Sequence, residues 1–199
     1  SEIRKKIKKV KKKTKTINVK KQNNIIKKLD FNLTKDQKKT LEEINNDLNS
    51  TKKMFRLLQG DVGSGKTIVS LLAAYNTVIS GFQVAILAPT EISARQHFNL
   101  AKRLFSKDIN IQLISGKSDN KTKKIILDKL SNNKINIIFG THAIFQKRVN
   151  FQNLGLIIID EQHKFGVNQR KKLSDKGGDN CDVLLMTATP IPRTLTMTM

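Results

Sequence analysis

The stretch MFRLLQ followed by GDVGSGKT, residues 54 to 67, constrains the fold more than any other part of this chain. A short apolar run reads as a strand, the pattern from 66 to 80 reads as a helix, and the loop between them fits G-x-x-x-x-G-K-[ST]. Gly60, Gly63 and Gly65 allow the backbone to curl so that successive N–H groups point inward, and the helix beginning at Lys66 adds the positive end of its dipole. A nest of this kind holds phosphate. The residues expected to hold the nucleotide are Gly60, Gly63, Ser64, Gly65, Lys66 and Thr67, with Lys66 bridging the β and γ phosphates and the Thr67 hydroxyl on Mg²⁺.

Beyond this loop the chain alternates. MFRLLQ (54 to 59), QVAILA (83 to 88), IQLIS (111 to 115), INIIFG (135 to 140), GLIIID (155 to 160) and DVLLMT (182 to 187) read as strands. Helical patterns stand between them at 66 to 80, 91 to 105, 120 to 131, near 142 to 146 and near 167 to 173. Strand and helix in alternation imply an α/β domain with a mostly parallel central sheet and helices on both faces. GLIIID is apolar without alternation, as a strand buried on both faces must be, and it delivers Asp160 and Glu161 at its carboxyl end. In open parallel sheets that end is where ligands bind. Asp160, 94 residues after Lys66, is expected to complete the Mg²⁺ shell, and Glu161 to act as general base on a water. His163 follows closely, and TAT (187 to 189) ends the last strand at the same sheet edge. An imidazole there can join the nucleotide shell to the hydroxyls of Thr187 and Thr189, a candidate coupling path. His97, His142, His163 and Cys181 lack zinc-ligand spacing.

Charge is concentrated at one end. Residues 1 to 30 carry 13 Lys and Arg against Glu2 and Asp30, half of a net charge of +22. Such a balance suits a polyanion such as nucleic acid, although a sequence rich in Lys, Asn and Ile also fits compositional drift toward A/T-rich codons. Ile3, Ile7 and Val10 form a helical stripe over residues 2 to 13, residues 14 to 24 read as a linker, and Thr34 caps a helix over 35 to 48 with Leu41, Ile44 and Leu48 on its apolar face. The one cysteine, Cys181, excludes an internal disulfide and fits a reducing cytosol. No run approaches the roughly 20 apolar residues that span a bilayer. A start at Ser1 and a stop within TLTMTM suggest a piece of a longer protein.

GDVGSGKT, PTEISARQH (89 to 97), GTHAIFQ (140 to 146), IIDEQHKFGVNQR (158 to 170) and TATPIPRTL (187 to 195) resemble, in that order, motifs I, Ia, Ib, II and III of superfamily 2 helicases. The resemblance covers roughly residues 25 to 199 and is closest to the bacterial ATP-dependent DNA helicases that remodel branched DNA. The translocase module of transcription-repair coupling factors is the nearest competitor, against which Ser64 and Gln162 count. Ser93, Arg95 and Lys164 depart from the usual pattern.

The resemblance implies a RecA-like P-loop NTPase domain over 31 to 199, preceded by a basic helical connector over 1 to 30. It also implies ATP with Mg²⁺, and catalytic roles for Lys66, Asp160, Glu161 and His163. Gln37 would read the adenine edge, with Phe31 or a neighbour stacking on the base. Thr90, Gln96, Thr141 and His142 would line a DNA backbone track. Implied partners are double-stranded and branched DNA, including forks and Holliday junctions in recombination and repair, and a second RecA-like domain of the same chain that supplies an arginine finger. Without that finger the piece alone would turn over poorly. No membrane and no oligomer are implied, and the setting is the bacterial cytoplasm and its nucleoid. The alternative from another class is a basic nucleic-acid-binding module with a non-hydrolysing nucleotide site.

Overall fold

Strands buried on both faces need a neighbour on each edge for their backbone groups and a helix on each face for their side chains. The computed structural model, which describes residues 11–141, 144, 149–160 and 177–188, meets both needs with one parallel sheet. In chain order its elements are α1 (Val19–Ile26), α2 (Lys35–Asn49), β1 (Phe55–Gln59), α3 (Lys66–Ile79), β2 (Gln83–Leu87), α4 (Glu91–Leu104), β3 (Ile111–Leu113), α5 (Asn120–Ser131), β4 (Ile137–Gly140), β5 (Leu154–Ile159) and β6 (Asp182–Thr187). A 3-10 turn, Gly178–Asn180, leads into β6. The strands lie in the order β1-β6-β5-β2-β4-β3, and every pairing is parallel. The α/β reading with a parallel sheet and helices on both faces therefore holds, with strand ends moved by up to two residues.

Side-chain alternation along each strand splits the core in two. Val84, Ile86, Leu156, Ile158, Leu184 and Met186 point to the face covered by α2, α3 and α4, while Ala85, Leu87, Ile157, Ile159, Val183 and Leu185 point to the face that α5 covers with Ile126 and Leu130. Helix α3 is the most deeply sunk, buried continuously from Ile68 to Val78. Leu71 and Leu72 are each 1% exposed, a burial that contributes about 1.5–3 kcal/mol per side chain. Gly155 in β5 has Phe82 where a side chain would stand, so only glycine lets the two approach.

The helix starts follow their cap chemistry. Thr34 accepts from the Gln37 N–H while the Gln37 side chain accepts from the Thr34 N–H, a complete capping box that opens α2. Thr90 and Asp119 cap α4 and α5 in the simpler way.

The segment expected as a linker, residues 14 to 24, is not one. Asn18 caps α1, whose Ile25 joins the core, and the chain before it is docked by Lys12 N–H on Thr51 O and Lys15 N–H on Leu48 O, both 3.0 Å. A buried amide cluster joins α1 to α2 and α3: Asn76 Nδ2 donates to Gln22 Oε1 (2.7 Å) and Asn45 Oδ1 (2.9 Å). The expected helix over 2 to 13 does not extend through residues 11 to 13, and its earlier part lies outside the described residues, as does most of 142 to 146 and all of 167 to 173.

Lysines explain why the arm docks. Asp182, at the start of β6, is fully buried and accepts four hydrogen bonds, two from Lys12 Nζ (2.7 and 2.8 Å), one from Lys15 Nζ (2.7 Å) and one from Met54 N–H (2.7 Å). Lys15 Nζ also bonds Asn180 O and stands 4.7 Å over the Phe82 ring. Burial lowers the Lys12 pKa, opposed by its bonds to Asp182. Beside this cluster the buried Cys181 thiol is pushed up to about 12 by desolvation, which keeps it protonated and unreactive.

Asp182→Ala would leave two buried ammonium groups without their counter-charge. The expected cost is about 3–5 kcal/mol in unfolding free energy, read from denaturant midpoints. A loss under about 1 kcal/mol, the worth of an exposed pair, would show that the cluster is solvated.

Candidate nucleotide site at the carboxyl edge of the sheet

Because all strands run the same way, every loop that leaves a strand's carboxyl end emerges on one edge. The phosphate loop leaves β1 there, Asp160 leaves β5, Ala88 to Thr90 leave β2, Thr141 leaves β4 and Thr187 closes β6. The loop is tied to its neighbour by Gly60 N–H on Thr187 O at 3.2 Å.

Within the loop, Gly63 (φ 81°) and Gly65 (φ 80°) occupy the left-handed region that disfavours other residues. Ser64 N–H closes the turn on Asp61 O. Lys66 Nζ folds back over the loop, donating to Gly60 O, to Asp61 O at 2.7 Å and weakly to Ser64 Oγ at 3.4 Å. The loop thus presents one fixed ammonium and a helix N-terminus to the same space, a cleft of about 400 Å³ lined by Thr34, Gln37, Gly60, Asp61, Ser64 and Lys66. Its chemistry fits a polyphosphate.

Gln37 is held at the rim from both sides. Its Oε1 accepts from Thr34 N–H (2.9 Å) and its Nε2 donates to Ser64 O (2.8 Å). A side chain at Gly65 would collide with that amide, 2.2 Å from Gln37 Nε2, so Gly65 serves the turn and the Gln37 contact together. Phe31 is about half exposed.

Asp160 is the first polar residue after six buried ones. Its N–H is bound by Leu87 O at 2.8 Å, and its Oδ2 lies 2.7 Å from His97 Nε2 on α4. Both side chains are largely buried, 12% exposed for His97 and 17% for Asp160. A carboxylate only accepts, so the ring nitrogen carries the proton of this bond. Sequence reasoning tested His97 for zinc spacing alone and missed the contact, which depends on a helix 63 residues away in the chain. Among the described residues no three His, Cys, Asp or Glu gather as a metal cage. Thr67 and Asp160 offer hard oxygens of the sort Mg²⁺ takes together with phosphate and water, a set that needs no such cage.

The residues expected along DNA fare differently. The Thr90 hydroxyl is occupied as the α4 cap, accepting from Ser93 N–H at 3.1 Å and bonded to Ser93 Oγ at 2.8 Å. Glu91 beside it is tied to Ser115 Oγ (3.0 Å) and Gly116 N–H, which hold its carboxyl below the usual range. Gln96 is exposed and shares a shallow groove with Asn99, Lys102 and Arg103. Thr141 directly follows β4, and Thr187 is buried at the end of β6. Glu161, Gln162, His163, His142 and Thr189 lie outside the described residues.

Comparison with known proteins agrees with this geometry. The family model described as DEAD/DEAH box helicase matches residues 34–198. The ATP-dependent DNA helicase RecG of Bacillus subtilis is 51% identical over 174 residues, 87% of this chain and 25% of that protein. RecG of Streptococcus pneumoniae is 51% identical over 170 residues, 85% and 25% of the two chains. The solved structure of RecG bound to a three-way DNA junction superposes with a TM-score of 0.83 at 44% identity, covering 97% of this chain and 26% of that one. The chain spans about a quarter of the length of the curated relatives it matches. With a family model matching residues 34–198 and half-identical relatives over most of its length, the chain belongs to the DEAD/DEAH box helicase family.

Proposed function

We propose that this chain is the first motor domain of an ATP-driven helicase that moves along double-stranded DNA and remodels forks and junctions in recombination and repair. The observation that carries the ATPase half is the junction of three neighbouring strands: the phosphate loop after β1, Thr187 at the end of β6 and Asp160 after β5, with Gly60 N–H bound to Thr187 O. The relatives support the DNA half, since RecG is named as an ATP-dependent DNA helicase and its structure holds a three-way junction.

In this reading the loop N–H groups and Lys66 bind the β and γ phosphates, and Gln37, braced on Thr34 and Ser64, reads the adenine edge. Thr67 and Asp160 would hold Mg²⁺, which when bound neutralises charge developing on the phosphate oxygens. Glu161 takes the proton of the attacking water, and His163 reports the nucleotide state to Thr187 and Thr189. The exposed face around Gln96, with Thr141 and His142, follows the DNA backbone through contacts that do not read sequence. A second RecA-like domain of the same protein supplies the arginine finger, and the protein acts in the cytoplasm on nucleoid DNA. A purely basic binding module is less well supported, because two lysines of its arm, Lys12 and Lys15, are buried on Asp182 and unavailable to a polyanion.

Lys66→Ala should weaken binding of a fluorescent ATP analogue about 10- to 100-fold, the worth of one charged hydrogen bond; unchanged affinity would remove Lys66 from the site. Glu161→Gln should keep nucleotide binding while slowing hydrolysis about 10²- to 10⁴-fold, and turnover near wild type would take the base role from Glu161. For the intact protein, ATPase rates measured with linear duplex and with a three-way junction should differ, the junction being the stronger activator. Equal rates would count against branched DNA as the substrate.

A further inference from the structure

Helix α4 carries two unlike surfaces. Ala94, Ala101 and Leu104 are buried toward the sheet, and His97, on the same side, reaches Asp160. The opposite side exposes Arg95, Gln96, Asn99, Lys102 and Arg103. The helix has little freedom at its start, where Thr90 caps it and Glu91 is bonded to Ser115 and Gly116.

Asp160 can be held at its N–H and, in its side chain, at two carboxylate oxygens. Leu87 O takes the first and His97 Nε2 takes Oδ2, which leaves Oδ1 as the oxygen His97 does not occupy. A carboxylate at a strand end otherwise rotates about its side-chain torsions, and each freely rotating ligand costs entropy when a cation fixes it. The hydrogen bond from α4 removes that freedom in advance. It also makes the carboxylate's direction depend on where α4 lies, because a 2.7 Å bond does not survive a shift of the helix by an ångström without the carboxylate following or the bond breaking.

The geometry points to His97 as a positioning residue: its Nε2–H sets the carboxylate of Asp160 for the cation and ties that setting to the helix whose outer face meets DNA. The inference rests on the ATPase reading above and adds to it a route by which contact on α4 is felt at the hydrolytic site. Nothing in the motif pattern alone requires it, since the sequence places His97 and Asp160 in separate segments.

The test uses the intact protein and two variants, His97→Ala and His97→Gln; a glutamine amide can place an N–H near the position of Nε2. Binding of a fluorescent ATP analogue is titrated with Mg²⁺, and also measured in chelator, without hydrolysis being required. For His97→Ala the Mg²⁺ concentration at half-saturation should rise about tenfold or more, as for other residues that orient metal ligands, while affinity in chelator stays at the wild-type value. The fold-stimulation of ATPase by duplex DNA should fall in the same variant, and His97→Gln should restore both. Wild-type Mg²⁺ dependence in His97→Ala overturns the inference. So does an equal loss in both variants, which would mean that the site needs the ring's volume and not its donor; a thermal melt of each protein identifies a variant that loses the fold, and the glutamine variant then decides alone by showing or lacking wild-type Mg²⁺ dependence. Failure of the wild type to hydrolyse ATP would sink the ATPase reading, whereas the binding titration judges His97 separately.

Discussion

Strand β5 pairs with β2 along one edge, from Leu154 to Ile159 with a register shift at Gly155, and with β6 along the other from Leu156 to Ile159, and the remaining geometry depends on that double ladder. From Leu156 to Ile159 both edges are paired and both faces covered, so the backbone there finds partners in the sheet and a run of consecutive buried residues becomes tolerable. Asp160, its N–H still held by Leu87 O, is then the first side chain at which the chain can turn polar. The parallel direction of every pairing does the rest. It places the ends of β1, β6, β5, β2 and β4 on a single edge, so that groups separated by more than a hundred residues share one site.

The basic N-terminal segment shows how burial changes the meaning of charge. Thirteen cations in thirty residues look like a surface for nucleic acid. Two of them, Lys12 and Lys15, instead sit at 3% and 0% exposure on the one carboxylate of Asp182. Their charge holds residues 11 to 17 against the start of β6, and the helix that follows adds Ile25 to the core. Taking one carboxylate and two ammonium groups out of water is costly, and the cluster is stable only because each also finds further partners: Asp47 O for Lys12, Asn180 O and the Phe82 ring for Lys15, and Met54 N–H for Asp182.

The phosphate-loop end of the candidate site was largely legible in the sequence alone. The phosphate loop announces itself through glycine spacing and its flanks, and Asp160 through an apolar run that ends in acid. Thr34 as a helix cap was equally plain. The contacts that tune these parts were not. Gln37 braces the loop through Ser64 O while closing a capping box with Thr34, and Gly65 must lack a side chain to let it pass. The His97 bond to Asp160 and the amide cluster of Gln22, Asn45 and Asn76 join residues far apart in the chain, and no periodicity carries such information. The linker reading of residues 14 to 24 failed for the same reason: polar residues there look solvated until Gln22 is seen buried against α2 and α3.

By itself the sequence determined the local elements, the glycine-rich loop, Asp160 at a strand end and the family, because these rest on interactions within a few residues: torsional freedom at glycine, cap hydrogen bonds, and the period of apolar side chains. Only the tertiary structure decided the strand order β1-β6-β5-β2-β4-β3, the burial of Lys12 and Lys15 on Asp182, and the reach of α4 to Asp160. Those depend on which surfaces meet once the sheet closes, and the free energy of a buried charge or a shared hydrogen bond is set by that meeting and not by neighbours in the chain.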